Sequence, residues 1–246
     1  MTPVDDIIKR YTQRTGITLG KIEAVLFDMD GVLYDSMPGH ARAWKIMTDA
    51  EGIDADENEF YAYEGRTGAS TINILFNRQF GRDASQEEIK RLYGIKTANF
   101  KSFGEAPKMP GAERAIHEVT ASGAVCVLVT GSGQGSLLEK LNHDYPGAFA
   151  ENHRVTAWDV TKGKPDPEPY IIGMKKAGVK LGHAIGVDNA PLGVESSSKA
   201  GLLTIGVRTG PIPEGSLLAA GADVELNSMN ECADLLSKLL YYKSNS

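Results

Sequence analysis

The chain reads as an α/β fold, and three observations carry that reading. Short apolar runs rich in β-branched residues recur along it, amphipathic stretches of helical period lie between them, and one long interval holds helical patterns alone. Runs this short cannot stand as free helices, and without polar alternation they fit strands buried on both faces. Strands that alternate with helices imply right-handed βαβ units and a mostly parallel sheet.

Residues 3–14 are expected to form a short extra helix packed on the outside, and the first strand spans 22–27. From 36 to about 107 no strand pattern appears; helical patterns run over 39–50, 70–80 and 86–103. Ser36-Met37-Pro38-Gly39 and Glu105-Ala106-Pro107 punctuate the two edges of that interval like hinges. The alternation then resumes with helix 112–121, strand 124–129, helix 134–143, a weaker strand at 154–157, helix 168–177, and strands 184–187 and 202–207. No internal repeat interrupts it. The expected architecture is a Rossmann-like parallel sheet core with an inserted all-helical cap domain. Residues 1–36 and 107–246 make the core, with 1–20 an extra N-terminal helical segment, and 37–106 make the cap.

At 246 residues the chain is long enough for such a core and its insert. A formal net charge of -6 argues against a general nucleic-acid binder, which needs a basic face, yet allows a local basic pocket for one small anion. Cys126 sits inside an apolar run and reads as a buried strand residue; with Cys232 it makes neither a disulfide framework nor a metal-type spacing. Residues 1–20 lack the apolar stretch of a signal peptide, and no apolar run approaches the length of a bilayer span. A cytoplasmic protein is expected, without membrane or nucleic-acid partners. Nothing demands a partner chain, so a monomer is expected and a homo-oligomer stays open.

In an open parallel sheet ligands bind beyond the carboxyl ends of the strands, so the residues that follow each strand matter most. Asp28-Met29-Asp30-Gly31 follows the first strand. Carboxylates at i and i+2 can enter one site while Met29 turns away, and so close a pair requires a cation, a shared proton or a cationic partner. Gly31 lets the chain turn sharply toward the insert. Thr130-Gly131-Ser132-Gly133 follows the second strand, a hydroxyl and exposed N–H groups at a helix start suited to an anion. Lys164, in Gly163-Lys164-Pro165-Asp166-Pro167, is held in a loop stiffened by prolines. Asp188-Asn189-Ala190-Pro191 adds a third acid at a strand end, with Pro191 suited to the first turn of a helix. Singly, these are the residues of caps and turns; together they place three carboxylates, a hydroxyl and a lysine at one sheet edge. Oxygen donors without His or Cys favour a hard cation such as Mg²⁺.

The run Val25-Leu26-Phe27-Asp28-Met29-Asp30-Gly31-Val32 resembles the first motif of the haloacid dehalogenase (HAD) superfamily, and Thr130, Lys164 and Asp188 fall where its later motifs are expected. The resemblance covers residues from about 21 to 241, and the helical insert looks like the cap of the β-phosphoglucomutase-like subgroup. It implies that Asp28 attacks phosphorus to form an aspartyl-phosphate, with Asp30 as acid and base. It implies Mg²⁺ held by Asp28, the Asp30 carbonyl and Asp188, and phosphoryl oxygens held by Thr130, Lys164 and the amides of residues 131–133. One departure is Val187, where many relatives carry a second acid; Asn189 is expected to support the metal shell instead, and Glu195 to be a solvated helix residue.

Substrate choice rests on the cap. His40 and Trp44 lie four apart on one helix face; His40 matches a cap-hinge histidine of the mutases, and Lys96 sits where they carry a substrate-gripping lysine. The stretch Glu64-Gly65-Arg66-Thr67-Gly68 supplies further candidates in Glu64, Arg66 and Thr67. By the resemblance, a mutase would carry at position 68 the arginine that clamps a distal phosphate; Gly68 stands there, and Arg66 is displaced by two positions. Glu64 either faces the site, favouring a compact leaving group such as pyrophosphate, or pairs with Arg66. The reading is therefore a Mg²⁺-dependent phosphohydrolase acting on a small phosphorylated metabolite, a sugar phosphate or pyrophosphate. A phosphomutase is the alternative, and a catalytically poor phosphate-binding regulatory protein the third. A dehalogenase is disfavoured by Asp30.

Overall fold

The computed structural model describes residues 3–132 and 135–242. Among these, six strands form one parallel sheet: β1 (Ala24–Phe27), β2 (Val125–Val129), β3 (Arg154–Val155), β4 (Ala184–Asp188), β5 (Leu203–Val207) and β6 (Val224–Leu226), in the order β3-β2-β1-β4-β5-β6. The winding reverses between β1 and β4, which opens the ligand crevice there. Register pairs Phe27 with Val187, so Asp28 and Asp188 emerge side by side.

The helices are α1 (Val4–Thr15), α2 (Met37–Ala50), α3 (Glu59–Ala62), α4 (Gly68–Phe80), α5 (Gln86–Ser102), α6 (Ala112–Ala121), α7 (Gly135–Asp144), α8 (Glu168–Ala177), α9 (Pro191–Lys199), α10 (Ser216–Ala219) and α11 (Met229–Leu239). Alternation along the strands sends successive side chains to opposite layers. Val25 and Phe27 join the larger apolar cluster, with Ile7 and Tyr11 of α1, Ile116 of α6 and Leu236 of α11; Ala24 and Leu26 join the other, with Tyr170 and Met174 of α8. Both faces are covered, which is why these strands read as unbroken apolar runs. Cys126 is buried as expected.

Between β1 and β2 the chain is helical from α2 to α5, with an apolar cluster of its own built on Trp44, Met47, Phe60, Leu75 and Leu92. A capping box of Ser85 and Glu88 starts α5. Gly31 takes φ +79° at the exit from β1, and any side chain there would run into Asn189.

The expected helices 112–121 and 168–177 coincide with α6 and α8. The expected strand 154–157 stops at Val155, because Asp159 draws both the Thr156 N–H and hydroxyl into a turn at 2.8 Å. Strand β6 and helices α3, α10 and α11 were not anticipated. Residues Gly133 and Gln134, expected in the anion loop and the following helix, lie outside the described residues.

Candidate active site

Asp28 is buried at the end of β1 and Asp188 at the end of β4. Lys164, from the loop before α8, bridges them: Nζ donates to Asp28 Oδ1 at 2.5 Å and to Asp188 Oδ2 at 2.7 Å. Lys164 thus supplies a cationic partner to Asp28 and Asp188, not to Asp30. Tyr170 of α8 donates its hydroxyl to Asp188 Oδ2 at 2.6 Å, and the Ala190 N–H donates to Asp188 Oδ1 at 3.1 Å. Gly193 packs directly on that carboxylate, leaving no room for a Cβ. Burial pushes the Asp28 carboxyl up to about 7, Asp188 and Asp30 adding repulsion against the pull of Lys164. Burial disfavours the Lys164 ammonium, yet Asp188 and Asp28 outweigh it and hold the lysine above its ordinary value.

Asp30 points into the same cleft but has different partners, while Met29 between them is buried in the core. Its Oδ1 accepts Ser36 Oγ at 2.6 Å and faces His40 Nε2 at 3.3 Å. His40 stacks on Phe100 with centroids 3.9 Å apart, and its Nδ1 lies 2.6 Å from Lys96 Nζ. The Lys96 ammonium can donate to His40 Nδ1 while Nε2, on the other side of the ring, faces Asp30. Lys96 is 5% exposed, not solvated, and burial brings it down to about 8 against the pull of Asp30. Desolvation would raise Asp30, but the charge and hydrogen bond of His40, the Ser36 hydroxyl and Lys96 bring it down to about 2.

Glu64 faces the site and does not pair with Arg66. Its Oε2 accepts Asn189 Nδ2 at 2.9 Å, while Glu64 Oε1 and Asn189 Oδ1 are buried without a hydrogen-bond partner. Burial, then Asp28, Asp188 and Asp30, push Glu64 well above the usual carboxylate range. Arg66 lines the mouth of the cleft, its Nη1 3.5 Å from Ser70 Oγ.

The cleft holds about 110 Å³, with Gly131, Ser132, Trp44, Tyr63 and Tyr93 also in its walls. Two expected residues stand elsewhere. Thr67 N-caps α4, its Oγ1 accepting the Ser70 N–H at 3.2 Å, because a hydroxyl ahead of a helix start satisfies a free amide there. Thr130 lies beneath the loop, its Oγ1 accepting the Ser132 N–H at 3.0 Å, and does not line the cleft. Tyr170 was missed, since a tyrosine on an amphipathic helix carries the signal of a core residue.

A sequence profile of haloacid dehalogenase-like hydrolases matches residues 22–201. A 6-phosphogluconate phosphatase of Escherichia coli (strain K12) is 30% identical over 75% of this chain and 81% of its own. Hexitol phosphatase A of the same organism is 28% identical over 76% and 83%. A solved structure from Bacteroides vulgatus, provisionally described as a β-phosphoglucomutase, superposes with a TM-score of 0.91 at 43% identity, covering 97% of this chain and 98% of that one.

Proposed function

This chain belongs to the haloacid dehalogenase-like hydrolase family, and on that premise we propose that it hydrolyses a small phosphate ester or anhydride through an aspartyl-phosphate on Asp28. The observation that carries the proposal is the sorting of two carboxylates on one turn. Asp28 shares an ammonium with Asp188, whereas Asp30 accepts from Ser36 and faces His40 Nε2, with Lys96 behind that ring at Nδ1.

An Asp28 carboxylate oxygen attacks phosphorus, and the bond from phosphorus to the leaving oxygen breaks. Asp30, recharged from the His40–Lys96 pair, delivers a proton to that oxygen. In the second half Asp30 takes a proton from water, whose oxygen attacks phosphorus and frees Asp28 and orthophosphate. Lys164 and the Gly131 amide hold the phosphoryl oxygens, with Thr130 Oγ1, which takes the Ser132 N–H, fixing the loop behind them. Residues 37–106 act as the cap that excludes bulk water during the first half.

The site suits Mg²⁺: its donors are oxygens, and Glu64 Oε1 and Asn189 Oδ1 are buried acceptors that lack a donor. Asp28, the Asp30 carbonyl, Asp188 and Asn189 would hold the ion, which when bound supplies neutralisation of phosphoryl charge. Among the described residues no three acidic, His or Cys side chains form a ready metal cage, in keeping with Lys164 bridging Asp28 and Asp188.

The relatives named as phosphatases of phosphorylated carbohydrates support a small phosphorylated metabolite as substrate. The Glu64 carboxyl group lies in the cleft and favours a compact, metal-bound leaving group, pyrophosphate included. Two free buried cysteines suit a reducing cytoplasm, and no described helix is long and apolar enough to cross a membrane. A phosphomutase is the second reading, favoured by the structural relative at 43% identity.

The deciding experiment measures phosphate release with Mg²⁺ from pyrophosphate, hexose 6-phosphates and β-glucose 1-phosphate, following glucose 6-phosphate formation in parallel. Fast release that disappears in Asp28→Asn is expected. Glucose 6-phosphate formed from β-glucose 1-phosphate with little free phosphate would instead establish the mutase.

A further inference from the structure

Gly68 opens α4, yet its backbone lies outside the left-handed region that calls for glycine. Backbone conformation therefore does not call for glycine at this position, whereas close approach of another group does. That group is Tyr93 of α5. A Cβ on Gly68 would overlap ring atoms Cδ2 and Cε2 of Tyr93 and stand 3.1 Å from Cγ. The ring lies where a side chain from α4 would otherwise enter the cleft.

Tyr93 and Gly68 both line the cleft, and Trp44 tilts against the tyrosine with centroids 6.2 Å apart. Tyr93 and Lys96 are three apart on α5 and share a helix face, with Lys96 Nζ 6.0 Å from the ring centroid. A leaving group protonated at Asp30, beside His40 and Lys96, therefore extends along the wall that Tyr93 narrows.

We propose that Tyr93 determines substrate size, its ring seated against Gly68 so that the cleft admits compact leaving groups and disfavours sugar-sized ones. This rests on the hydrolase reading above and adds a residue that limits the substrate from the insert side.

The test uses the full chain with Mg²⁺. Tyr93→Ala is expected to raise kcat/KM for glucose 6-phosphate relative to pyrophosphate by about 10-fold or more, and Tyr93→Phe to keep the wild-type ratio. Gly68→Ala drives a methyl into the ring, so alone it should alter the ratio and lower Tm. In the Tyr93→Ala background it should do neither, a coupling expected only of residues in contact. The proposal is overturned by an unchanged ratio in Tyr93→Ala, by a shift as large in Tyr93→Phe, or by a Gly68→Ala effect that persists without the ring. Should Tyr93→Ala not fold, Tyr93→Leu takes its place. If wild type releases no phosphate from any substrate, the hydrolase reading has failed. Calorimetric binding of glucose 6-phosphate and pyrophosphate to the same variants then decides the size filter by the same ratio.

Discussion

Asp28 and Asp30 leave the same strand end, and the two halves of the site that receive them are built differently. The nucleophile side belongs to the sheet: Asp28 follows β1, Asp188 ends β4, and Lys164 and Tyr170 come from the loop before α8 and its first turn, with the Lys164 ammonium locked between two carboxylates. The proton side spans two layers, because Asp30 comes from the turn after β1 while His40 and Lys96 come from α2 and α5 of the insert. One carboxyl is pushed up to about 7 and the other down to about 2. Neighbours, and not sequence position, decide the role of a carboxylate. The nucleophile side holds its form as long as the sheet does, whereas the proton side exists only while the insert rests on the core.

Four measurements would break or sharpen that comparison. Asp28→Asn should lower phosphate release about 10⁴-fold or more, as expected of a covalent nucleophile; a rate within tenfold of wild type would remove the nucleophile side altogether.

The two buried lysines should then answer in opposite directions. Lys164→Met leaves Asp28 and Asp188 without their shared ammonium and should cost about 3–5 kcal/mol in chemical denaturation. Lys96→Met removes an ammonium that burial disfavours and should stabilise the protein by about 1–3 kcal/mol at pH 7 while lowering turnover. The unfolded chain holds the Lys96 proton up to about 10.4, the folded one only up to about 8. The cost of the charged lysine is therefore full below pH 8 and fades as pH rises toward 10.4, and the gain from Lys96→Met should fade with it. Equal signs for the two variants would erase the contrast.

His40→Gln should reduce kcat/KM about 10²-fold. Without the His40 charge and hydrogen bond, desolvation lifts Asp30 from about 2, so the acidic limb of the pH profile should move upward; a limb that stays in place would mean that the insert does not tune the acid. The smallest effect is expected from Glu64→Gln. Burial and Asp28 push Glu64 well above the usual carboxylate range, so the substitution changes hydrogen bonding beside the leaving group and should shift the ratio of pyrophosphate to glucose 6-phosphate hydrolysis about 5-fold, the scale of one hydrogen bond. A constant ratio would confine Glu64 to holding Asn189.

Much of this site was legible before any coordinates. Asp28, Asp30 and Asp188 follow apolar runs, and a parallel sheet delivers the residues after its strands to one edge. Helices α6 and α8 followed from their period. Thr67 was misplaced because a hydroxyl ahead of Gly68-Ala69-Ser70 suits a cap and a cleft equally, and only the Ser70 amide shows which use it has. The three-residue β6, with half-buried Glu225 at its centre, presents no apolar run to detect. Tyr93 and Tyr170 sit on helices whose aromatic residues all look like core. One reaches a glycine from another helix and the other an aspartate 18 positions away.

The sequence by itself determines the α/β order, the helical interval between the first two strands, and the identity of the strand-end groups, because period and turn chemistry are local properties. Only the tertiary structure decides that Lys164 is shared by Asp28 and Asp188, that Glu64 meets Asn189 instead of Arg66, and that His40 and Lys96 join at Asp30. Those partners lie far apart along the chain, and Coulomb and desolvation energies depend on distance and burial in three dimensions. No local pattern of residues encodes them.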